Sequence, residues 1–290
     1  MPHVPPLLLA ALTILPSPPS PILFEAGPFA LRYYGLFIAL GIALGTYITA
    51  RELNRKDYDG TLALDALFFV VPLGFIGARV YHVVTDYDLY ADDPFPGVFE
   101  VWNGGLGIYG AVIGGFLGFL IFARVRGVSP LVLADAAAPG LVLAQAVGRW
   151  GNYFNQELFG RPSDLPWAIQ IAPENRPPGF RDVEAFHPTF LYESMWDVLV
   201  ALVLLFVARR FARSLKNGDI ALLYVSLYSV GRFFVEALRV DPAFLIGEGI
   251  RGNLFVASVL ALTFALVLFL RPASTGRDRK RRTGGVGSGE

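Results

Sequence analysis

Seven apolar stretches, each long enough for a helix to cross a bilayer, recur along the chain between polar segments. They are predicted at residues 29–50, 62–84, 104–123, 130–150, 188–208, 219–238 and 252–270. A helix of about 20 apolar residues spans the hydrocarbon core of a membrane. The pattern therefore predicts an all-α, polytopic membrane protein with seven transmembrane helices in a membrane domain at residues 29–270.

The first 28 residues do not fit this pattern. Residues 7–15 are apolar, but a membrane-crossing helix needs about 20 such residues. Four prolines follow closely and interrupt any helix, and no Lys or Arg precedes the stretch as one would in a signal peptide. Residues 1–28 are therefore predicted to form an N-terminal arm lying on the membrane surface.

The basic residues between the apolar stretches are unevenly distributed. Lys and Arg are frequent after the first, third, fifth and seventh stretches, whereas the segment 85–103 has neither. Because cytoplasmic loops carry the excess of Lys and Arg, the N-terminus is predicted outside and the C-terminus in the cytoplasm. The polar tail, 271–290, is predicted to be a disordered basic cytoplasmic segment.

Composition narrows the function classes. The chain is 54% hydrophobic and only 17% charged, against about 25% charged residues in average soluble domains. It contains no cysteine, which excludes disulfides and a cysteine nucleophile, and its three histidines argue against a histidine-rich metal site. No metal, nucleotide or other cofactor is expected, and no nucleic-acid partner.

Polar residues of the apolar stretches lie mainly near the ends predicted to be external. These residues are Arg32, Tyr34, Arg79, Tyr81, Tyr109, Arg149, His187, Glu193, Arg232 and Glu236. Long side chains that merely reach for the membrane interface would be expected at both ends, and carboxylates would be rare. The asymmetry predicts a polar chamber that opens toward the outer face.

The stretch Gly148–Pro162 combines the end of an apolar run with a dense group of amides and charges. Arg149 closes the run and must find an anion, water or protein acceptors. Alternatively, Arg149 is a helix-end arginine that extends to the interface. The neighbouring Asn152, Asn155 and Glu157 favour a functional site.

Tyr228, Arg232, Glu236 and Arg239 follow one another at spacings that place them on a single helical stripe. The stripe is predicted to contribute to the same site. The alternative is a local ion pair between Arg232 and Glu236, which would account for Glu236 but would leave Arg149 and Arg79 without partners.

Two further features concern packing and the long loop. Gly110, Gly114 and Gly118 form a small-residue stripe that is predicted to let a neighbouring helix approach closely. The proline-rich loop 151–187 is too long for a simple connection and is predicted to form an external cap or a platform for a peptide. At its end, His187 is a candidate base, helix-start hydrogen bonder or interface residue.

Several motifs, in the same order along most of the chain, resemble those of the bacterial prolipoprotein diacylglyceryl transferase family. Gly148-Arg149-x-Gly151-Asn152-x-x-Asn155-x-Glu157-x-x-Gly160 resembles the family signature. The other motifs are Arg32-Tyr33-Tyr34-Gly35, Gly104-Gly105-Leu106, His187-Pro188-Thr189 with Tyr192-Glu193, and Gly231–Glu236 with Arg239 and Asp241-Pro242. Two positions depart from the family: Tyr109 stands where some members have histidine, and Phe190 where many have glutamine.

The resemblance implies an enzyme of lipoprotein maturation. Members transfer the diacylglyceryl group of phosphatidylglycerol to the lipobox cysteine thiol in the signal peptide of a prolipoprotein, and they release glycerol phosphate. The implied location is the bacterial cytoplasmic (inner) membrane, with the active site toward the outer leaflet. The implied partners are phosphatidylglycerol, prolipoprotein signal peptides and membrane lipid.

The resemblance also implies roles for individual residues. Arg149 and Arg232 are expected to bind the donor phosphate, and Asn152 and Glu157 to orient the donor's hydroxyl groups or the arginines. Tyr109 and His187 complete the candidate catalytic set, although our hypothesis is that no histidine is an obligatory base. The candidate substrate-binding residues are Tyr34, Asn155, Gly160, Tyr228, Glu236 and Arg239.

An anion or lipid transporter with an outward-facing, arginine-lined cavity is the alternative function. A transporter would usually need polar groups through the full membrane depth, yet the inner halves of the predicted spans are almost purely apolar. No sequence pattern of an intramembrane serine protease or metalloprotease is present.

Overall fold

Seven long helices form the structure, which is a computed structural model describing residues 14–27, 29–90, 97–101, 104–240, 245–246 and 250–271. Within these residues, all seven helices are long and apolar enough to cross a membrane. They are α1 (Tyr33–Arg55), α2 (Leu62–Thr85), α3 (Ile108–Val125), α4 (Pro130–Asn155), α5 (Thr189–Arg210), α6 (Asp219–Leu238) and α7 (Gly252–Leu270). The predicted all-α membrane fold with seven spans is confirmed.

Helix boundaries differ from the predicted ones by four or five residues at four places, which are both ends of α1, the start of α3 and the end of α4. Residues 29–32, predicted as helix, pair as a strand with residues 22–26 and so delay the start of α1 to Tyr33. Helix α4 continues to Asn155, so the first half of the predicted signature motif is helical. The Asp241-Pro242 pair and the tail from residue 272 lie outside the described residues.

Short strands accompany the helices. They are β1 (Ile14–Leu15), β2 (Ile22–Ala26), β3 (Phe29–Arg32), β4 (Ala168–Gln170), β5 (Ala185–Phe186), β6 (Leu245–Ile246) and β7 (Ile250–Arg251). Strands β1, β4 and β5 form one sheet, in which β1 runs parallel to β4 and β4 antiparallel to β5. The loop between α4 and α5 thus contains two strands of this sheet, and we call residues 156–188 the cap.

The chain divides into two compact units. Unit one comprises Met1–Gly45 and Ala138–Glu290, and unit two comprises Thr46–Ala137. Both boundaries fall inside helices, in α1 and in α4. Unit one therefore contains the cap, the end of α4, and helices α5 to α7.

Unit two is organised by close packing of α2 against α3. Gly110, Gly114 and Gly118 are buried, and a Cβ atom added to any of them would collide with backbone oxygens of α2. The predicted close helix approach at this stripe is therefore confirmed. A separate apolar cluster in the same unit includes Leu53 and Phe122, both fully buried.

The described residues of unit one form two apolar clusters. The first lies between α4, α5 and α6 and contains Val142, Leu204 and Ile220. The second lies under the cap, where Ile169, Ile171, Phe186 and Phe190 pack together. The cap is thus anchored on the start of α5 by an apolar core of its own, which fixes the polar residues that border it.

Candidate active site

A single carboxylate joins two arginines at the cap end of unit one, where α4 ends and α5 begins. Glu193 Oε2 lies 2.7 Å from Arg149 Nε on α4, and Glu193 Oε1 accepts a hydrogen bond from Arg232 Nη1 on α6. The Glu193 side chain is 9% exposed. Three helices therefore hold two guanidinium groups in a fixed relation, and we call Arg149, Glu193 and Arg232 the arginine clamp.

The predicted stripe on α6 extends the clamp. Glu236, which is fully buried, accepts a hydrogen bond of 2.9 Å from Arg232 and lies 3.4 Å from Arg239 Nη1. Its other oxygen lies 3.5 Å from Asn253 Nδ2 on α7. The predicted grouping of Arg232, Glu236 and Arg239 is thus present as a continuous chain of opposite charges.

The ion-pair alternative needs correction. The pair between Arg232 and Glu236 exists, but its premise that Arg149 and Arg79 would lack partners is wrong. Arg149 pairs with Glu193, and Arg79 donates to backbone carbonyls of unit two. The spacing along one helix could not reveal Glu193 as the partner, because the contact joins different helices.

Both clamp arginines retain unused hydrogen-bonding capacity. A guanidinium group has five N–H donors. Among the described residues, Arg149 has no hydrogen bond or ion pair besides the contact of its Nε with Glu193, and Arg232 uses only its two terminal nitrogens. The remaining planar donor edges suit the bidentate recognition of a phosphate oxygen pair.

A second polar group is built around Glu157, directly after α4. Glu157 Oε1 accepts hydrogen bonds from Asn152 Nδ2 at 2.9 Å and from Asn155 Nδ2 at 3.1 Å. The chain reverses here with positive φ angles at Gln156 (51°) and Leu158 (58°). The structure brings together the three residues that the signature motif singled out, and it explains them as one hydrogen-bonded turn.

Gln156 secures this turn to neighbouring segments. Its side-chain oxygen accepts a hydrogen bond of 2.7 Å from the Ala172 amide, and its Nε2 donates to Pro18 O at 3.4 Å. These bonds satisfy the polar atoms of the Gln156 side chain. The backbone of Gln156 has a positive φ angle, which is unfavourable for a residue other than glycine. The turn that carries Glu157 is therefore fixed by both the cap and the N-terminal segment.

Tyr34 lies against the same region of α4. Its ring carbon Cδ2 is 2.6 Å from the position that a Cβ atom would take at Gly151, so only glycine leaves room for this ring. Tyr34 is also within electrostatic range of Arg149 and Glu157. Tyr34 thus lies near the arginine and glutamate of the signature motif, whereas its predicted role in substrate binding stays a prediction.

Gly160 marks a close crossing of three chain segments. Its amide donates to His187 O at 2.9 Å, and the next residue, Arg161, donates its amide to Leu238 O at 2.8 Å. An added Cβ would lie 2.8 Å from the His187 side chain and 3.2 Å from Leu238 O. This contact gives Gly160 a structural reason to be glycine, whereas its predicted role in substrate binding stays a prediction.

His187 belongs to a hydrogen-bonded chain at the start of α5. Its Nδ1 lies 3.1 Å from the Tyr192 hydroxyl group, which accepts a hydrogen bond of 3.0 Å from Trp167 Nε1 of the cap. Of the three predicted roles, the observed contacts match the helix-start hydrogen bonder. Its assignment as a catalytic residue stays a prediction.

Tyr109 and Arg79 lie in unit two. Tyr109 is 59% exposed, and its ring contacts the Tyr81 ring with centroids 5.8 Å apart. Arg79 donates hydrogen bonds of 2.7 to 2.9 Å to the carbonyl groups of Gly97, Val98, Gly104 and Gly105. The predicted chamber, which combines residues of both units, and the role of Tyr109 in it therefore stay predictions.

An inner polar layer was missed by the sequence prediction. Asp197, one turn beyond Glu193 on α5, is only 2% exposed, and its Oδ2 has no hydrogen-bond partner among the described residues. The Tyr224 hydroxyl donates to Gln145 Oε1 at 3.1 Å, and the Tyr224 ring contacts the predicted site residue Tyr228 at 5.7 Å. Two carboxylates four residues apart in an apolar helix were the available signal.

Two of the three inner-layer residues do not bear on the predicted apolar character of the inner halves of the spans. Asp197 on α5 and Gln145 on α4 lie in the halves predicted to be external, whereas Tyr224 lies in the inner half of its span. In the described residues, no group of three or more His, Asp or Glu side chains is arranged to hold a metal ion.

A family model described as prolipoprotein diacylglyceryl transferase matches residues 21–271. The chain belongs to this family. The match covers the clamp, the Glu157 turn and all seven helices, so the resemblance inferred from the motifs is confirmed. Membership in a family of transferases also favours an enzyme over the transporter alternative.

Similar proteins from several bacteria carry the name phosphatidylglycerol–prolipoprotein diacylglyceryl transferase. The protein from Frankia alni is 44% identical over 263 residues, which are 89% of this chain and 68% of the relative. The protein from Paenarthrobacter aurescens is 45% identical over 273 residues, covering 88% and 85% of the two chains. The protein from Trichormus variabilis is 42% identical over 255 residues, covering 87% and 88%.

Proposed function

We propose that this protein transfers the diacylglyceryl group of phosphatidylglycerol to the lipobox cysteine thiol of a prolipoprotein signal peptide. The observation that carries the proposal is the arginine clamp, in which Glu193 orients Arg149 and Arg232 from two other helices. Family membership supplies the reaction class. The clamp supplies a reason why an anionic phospholipid is the donor.

The donor phosphate binds to the unused N–H edges of the clamp. Burying two arginines costs solvation free energy, which the carboxylates of Glu193 and Glu236 offset. Because these carboxylates fix the guanidinium groups before substrate arrives, little reorganisation is needed when the phosphate binds. Charge-assisted, bidentate hydrogen bonds then select a phosphate over a neutral headgroup.

The transfer step is a displacement at carbon. The cysteine sulfur forms a bond to the glycerol carbon that carries the phosphate, and the carbon–oxygen bond to the phosphate breaks. The bonding electron pair stays on the phosphate oxygen, and the thiol proton passes to a basic group of the site and from there to water. Negative charge therefore grows on the phosphate in the transition state, where Arg149 and Arg232 stabilise it.

The remaining candidate residues position the donor. The Glu157 turn, with Asn152 and Asn155, offers a carboxylate for the donor's headgroup hydroxyls, and Tyr34 lies within electrostatic range of it. Tyr228 lies within electrostatic range of both clamp arginines. Arg239 acts through Glu236, which it helps to hold beside Arg232.

The protein is a multi-pass enzyme of the bacterial cytoplasmic membrane with its active site toward the outer leaflet. The distribution of Lys and Arg between the helices supports a cytoplasmic C-terminus. Reporter fusions test this orientation: one at residue 92 is expected to behave as external and one at residue 290 as internal. The reverse result at either position contradicts the placement of the site.

The activity is tested with the purified full-length chain, phosphatidylglycerol carrying labelled acyl chains, and a lipobox peptide. Label is expected on the cysteine peptide, together with release of glycerol phosphate. A peptide with serine in place of cysteine is the matched control and is expected to stay unlabelled. Movement of phosphatidylglycerol between leaflets without any labelled peptide would instead support the transporter alternative.

A further inference from the structure

Asp197 occupies an unusual position in unit one. Its side chain is buried within the apolar helix α5, and its Oδ2 is the one enclosed side-chain polar atom in the described residues that lacks a hydrogen-bond partner. A buried carboxyl group without a donor is unfavourable for stability. Ionisable residues inside membrane helices generally mark functional sites, so a role in the reaction is the first explanation to test.

The charged surroundings of Asp197 connect it to the clamp. It lies within electrostatic range of Arg149 on α4, Glu193 on its own helix and Arg232 on α6. Tyr224 and Tyr228, also on α6, are the other titratable groups that face it. Asp197 therefore belongs to the same polar interior as the two arginines that we assign to the donor phosphate.

Depth distinguishes Asp197 from Glu193. The two residues are one helical turn apart, so Asp197 is about 6 Å farther from the cap end along α5. In a phospholipid, the glycerol carbons lie between the phosphate and the acyl chains. With the phosphate on the clamp, the reacting carbon is therefore deeper in the membrane than the arginines.

The direction of attack adds a second argument. In a displacement at carbon, the sulfur approaches from the side opposite the leaving phosphate oxygen. The thiol is then still farther from the clamp than the reacting carbon, toward the level of Asp197. This order places a carboxylate beside the sulfur and leaves the arginines beside the departing oxygen.

We propose that Asp197 is a catalytic residue, the general base that accepts the proton of the lipobox cysteine thiol. The inference rests on the proposed function and names the group that takes the proton. The S–H proton moves to the Asp197 carboxylate, sulfur forms its bond to carbon, and the carbon–oxygen electron pair stays on the phosphate. Asp197 then returns the proton to water after the product leaves.

Two matched peptides separate base catalysis from a structural role. One carries the lipobox cysteine and the other selenocysteine, whose selenol is already ionised at neutral pH and needs no base. General-base catalysis contributes about 100- to 10,000-fold. Asp197→Asn is therefore expected to slow thiol transfer by a factor in this range and selenol transfer far less.

The pH profile supplies an independent readout. Without the base, thiol transfer depends on the thiolate that forms in solution or in the site, and a cysteine thiol has a reference pKa of about 8.5. The Asp197→Asn rate with the cysteine peptide is expected to rise about tenfold per pH unit below that value. The selenocysteine rate is expected to stay level over the same range.

The control is Asp219→Asn, which removes another buried carboxylate of unit one, paired with Arg271 at 2.6 Å. It is expected to leave the thiol-to-selenol rate ratio unchanged. Equal slowing of both nucleophiles by Asp197→Asn, or slowing of neither, would overturn the proposal. A wild-type protein that modifies neither peptide would instead overturn the proposed function.

Asp197→Glu decides the question if the asparagine variant does not accumulate as folded protein. Its longer side chain keeps a carboxylate but moves it relative to the sulfur. The thiol rate is then expected to fall more than the selenol rate. An equal change in the two rates would contradict the proposal.

Discussion

Arg79 and the clamp arginines have the same side chain in helices of similar character, yet they have different roles. Arg79 uses its guanidinium group to bind four backbone carbonyls of the segment 97–105, and its charge also lies over the Tyr90 ring. Arg149 and Arg232 instead bind carboxylates and keep N–H groups available. Satisfied donors stabilise a loop, whereas oriented but available donors can bind a substrate.

An arginine near the end of an apolar stretch does not by itself indicate a substrate-binding role. The sequence places all three residues near the ends of apolar stretches, and nothing in their spacing separates them. The three arginines differ in their hydrogen-bond partners. Arg79 binds backbone carbonyls, which carry no net negative charge, whereas Arg149 and Arg232 bind carboxylates that hold their guanidinium groups in place. The comparison is tested most directly by substituting each arginine with lysine.

Lysine at the clamp is expected to have the largest effect. Arg149→Lys and Arg232→Lys keep the charge but lose the planar fork, and a hydrogen bond to a charged group contributes about 1.5–3 kcal/mol. If these bonds strengthen only in the transition state, the transfer rate falls by about 10- to 150-fold. Rates are measured with phosphatidylglycerol and the lipobox peptide.

The matched control for these variants is Arg181→Lys, which changes an exposed arginine of the cap. It should transfer at the wild-type rate. Near-normal rates in both clamp variants would show that the planar fork is not used in transfer. The clamp arginines would then have no role in the reaction that Arg79 lacks.

Glu193→Gln tests whether orientation of the arginines matters. The amide retains the shape of the carboxylate but removes the charge that both guanidinium groups share, so each is held less firmly. A displacement of about 1 Å in a catalytic group can lower the rate about 100-fold. The expected result is a loss of this size in kcat, and Glu193→Asp should be intermediate. A variant with unchanged kcat would mean that the arginines hold their positions without Glu193.

Arg79→Lys should change stability and leave chemistry intact. An ammonium group has three donors and cannot reproduce bonds to four carbonyls, so at least one charge-assisted bond worth about 1.5–3 kcal/mol is lost. The midpoint of thermal unfolding in detergent is expected to fall, while folded protein transfers at close to the wild-type rate below that temperature. Preserved stability with lost transfer would give Arg79 the role that we assign to the clamp.

The smallest effect is expected at His187. His187→Gln keeps a hydrogen-bonding side chain beside Tyr192, and one neutral hydrogen bond is worth about 1 kcal/mol, or about fivefold in rate. Substantial transfer should remain across the pH range. A folded variant that is inactive at neutral pH and recovers only at high pH would identify His187 as the base and would also contradict the assignment of Asp197.

The sequence was sufficient for the helices and for local groups within one segment. Apolar length predicted all seven spans, and the dense group of Asn152, Asn155 and Glu157 was noted as a site because these residues are neighbours in the chain. The stripe of Arg232, Glu236 and Arg239 was predictable for the same reason. Helical periodicity determines which residues of one helix share a face.

Contacts between helices were not predictable in this way. Glu193 was noted as a polar residue near the start of α5 and as part of a family motif, whereas the structure makes it the common partner of two arginines. Asp197 was missed, and Arg79 was grouped with the clamp before its carbonyl partners in unit two were known. The partners of Glu193 and Arg79 are far away in sequence, which a single chain without related sequences does not reveal. The signal for Asp197, a second carboxylate four residues after Glu193, was present in the sequence.

The parallel pairing of β1 with β4 has a consequence for biosynthesis. Ile14 is paired with Ala168, so the partner of the first strand is synthesised roughly 150 residues later, which takes about 8 to 30 s at ordinary translation rates. During this interval the first helices can enter the membrane while β1 has no partner strand. The Gln156 side chain contacts both Pro18 and Ala172, so it acquires both partners only after Ala172 has been synthesised. The turn that carries Glu157 is therefore completed late, once the ribosome has passed the cap.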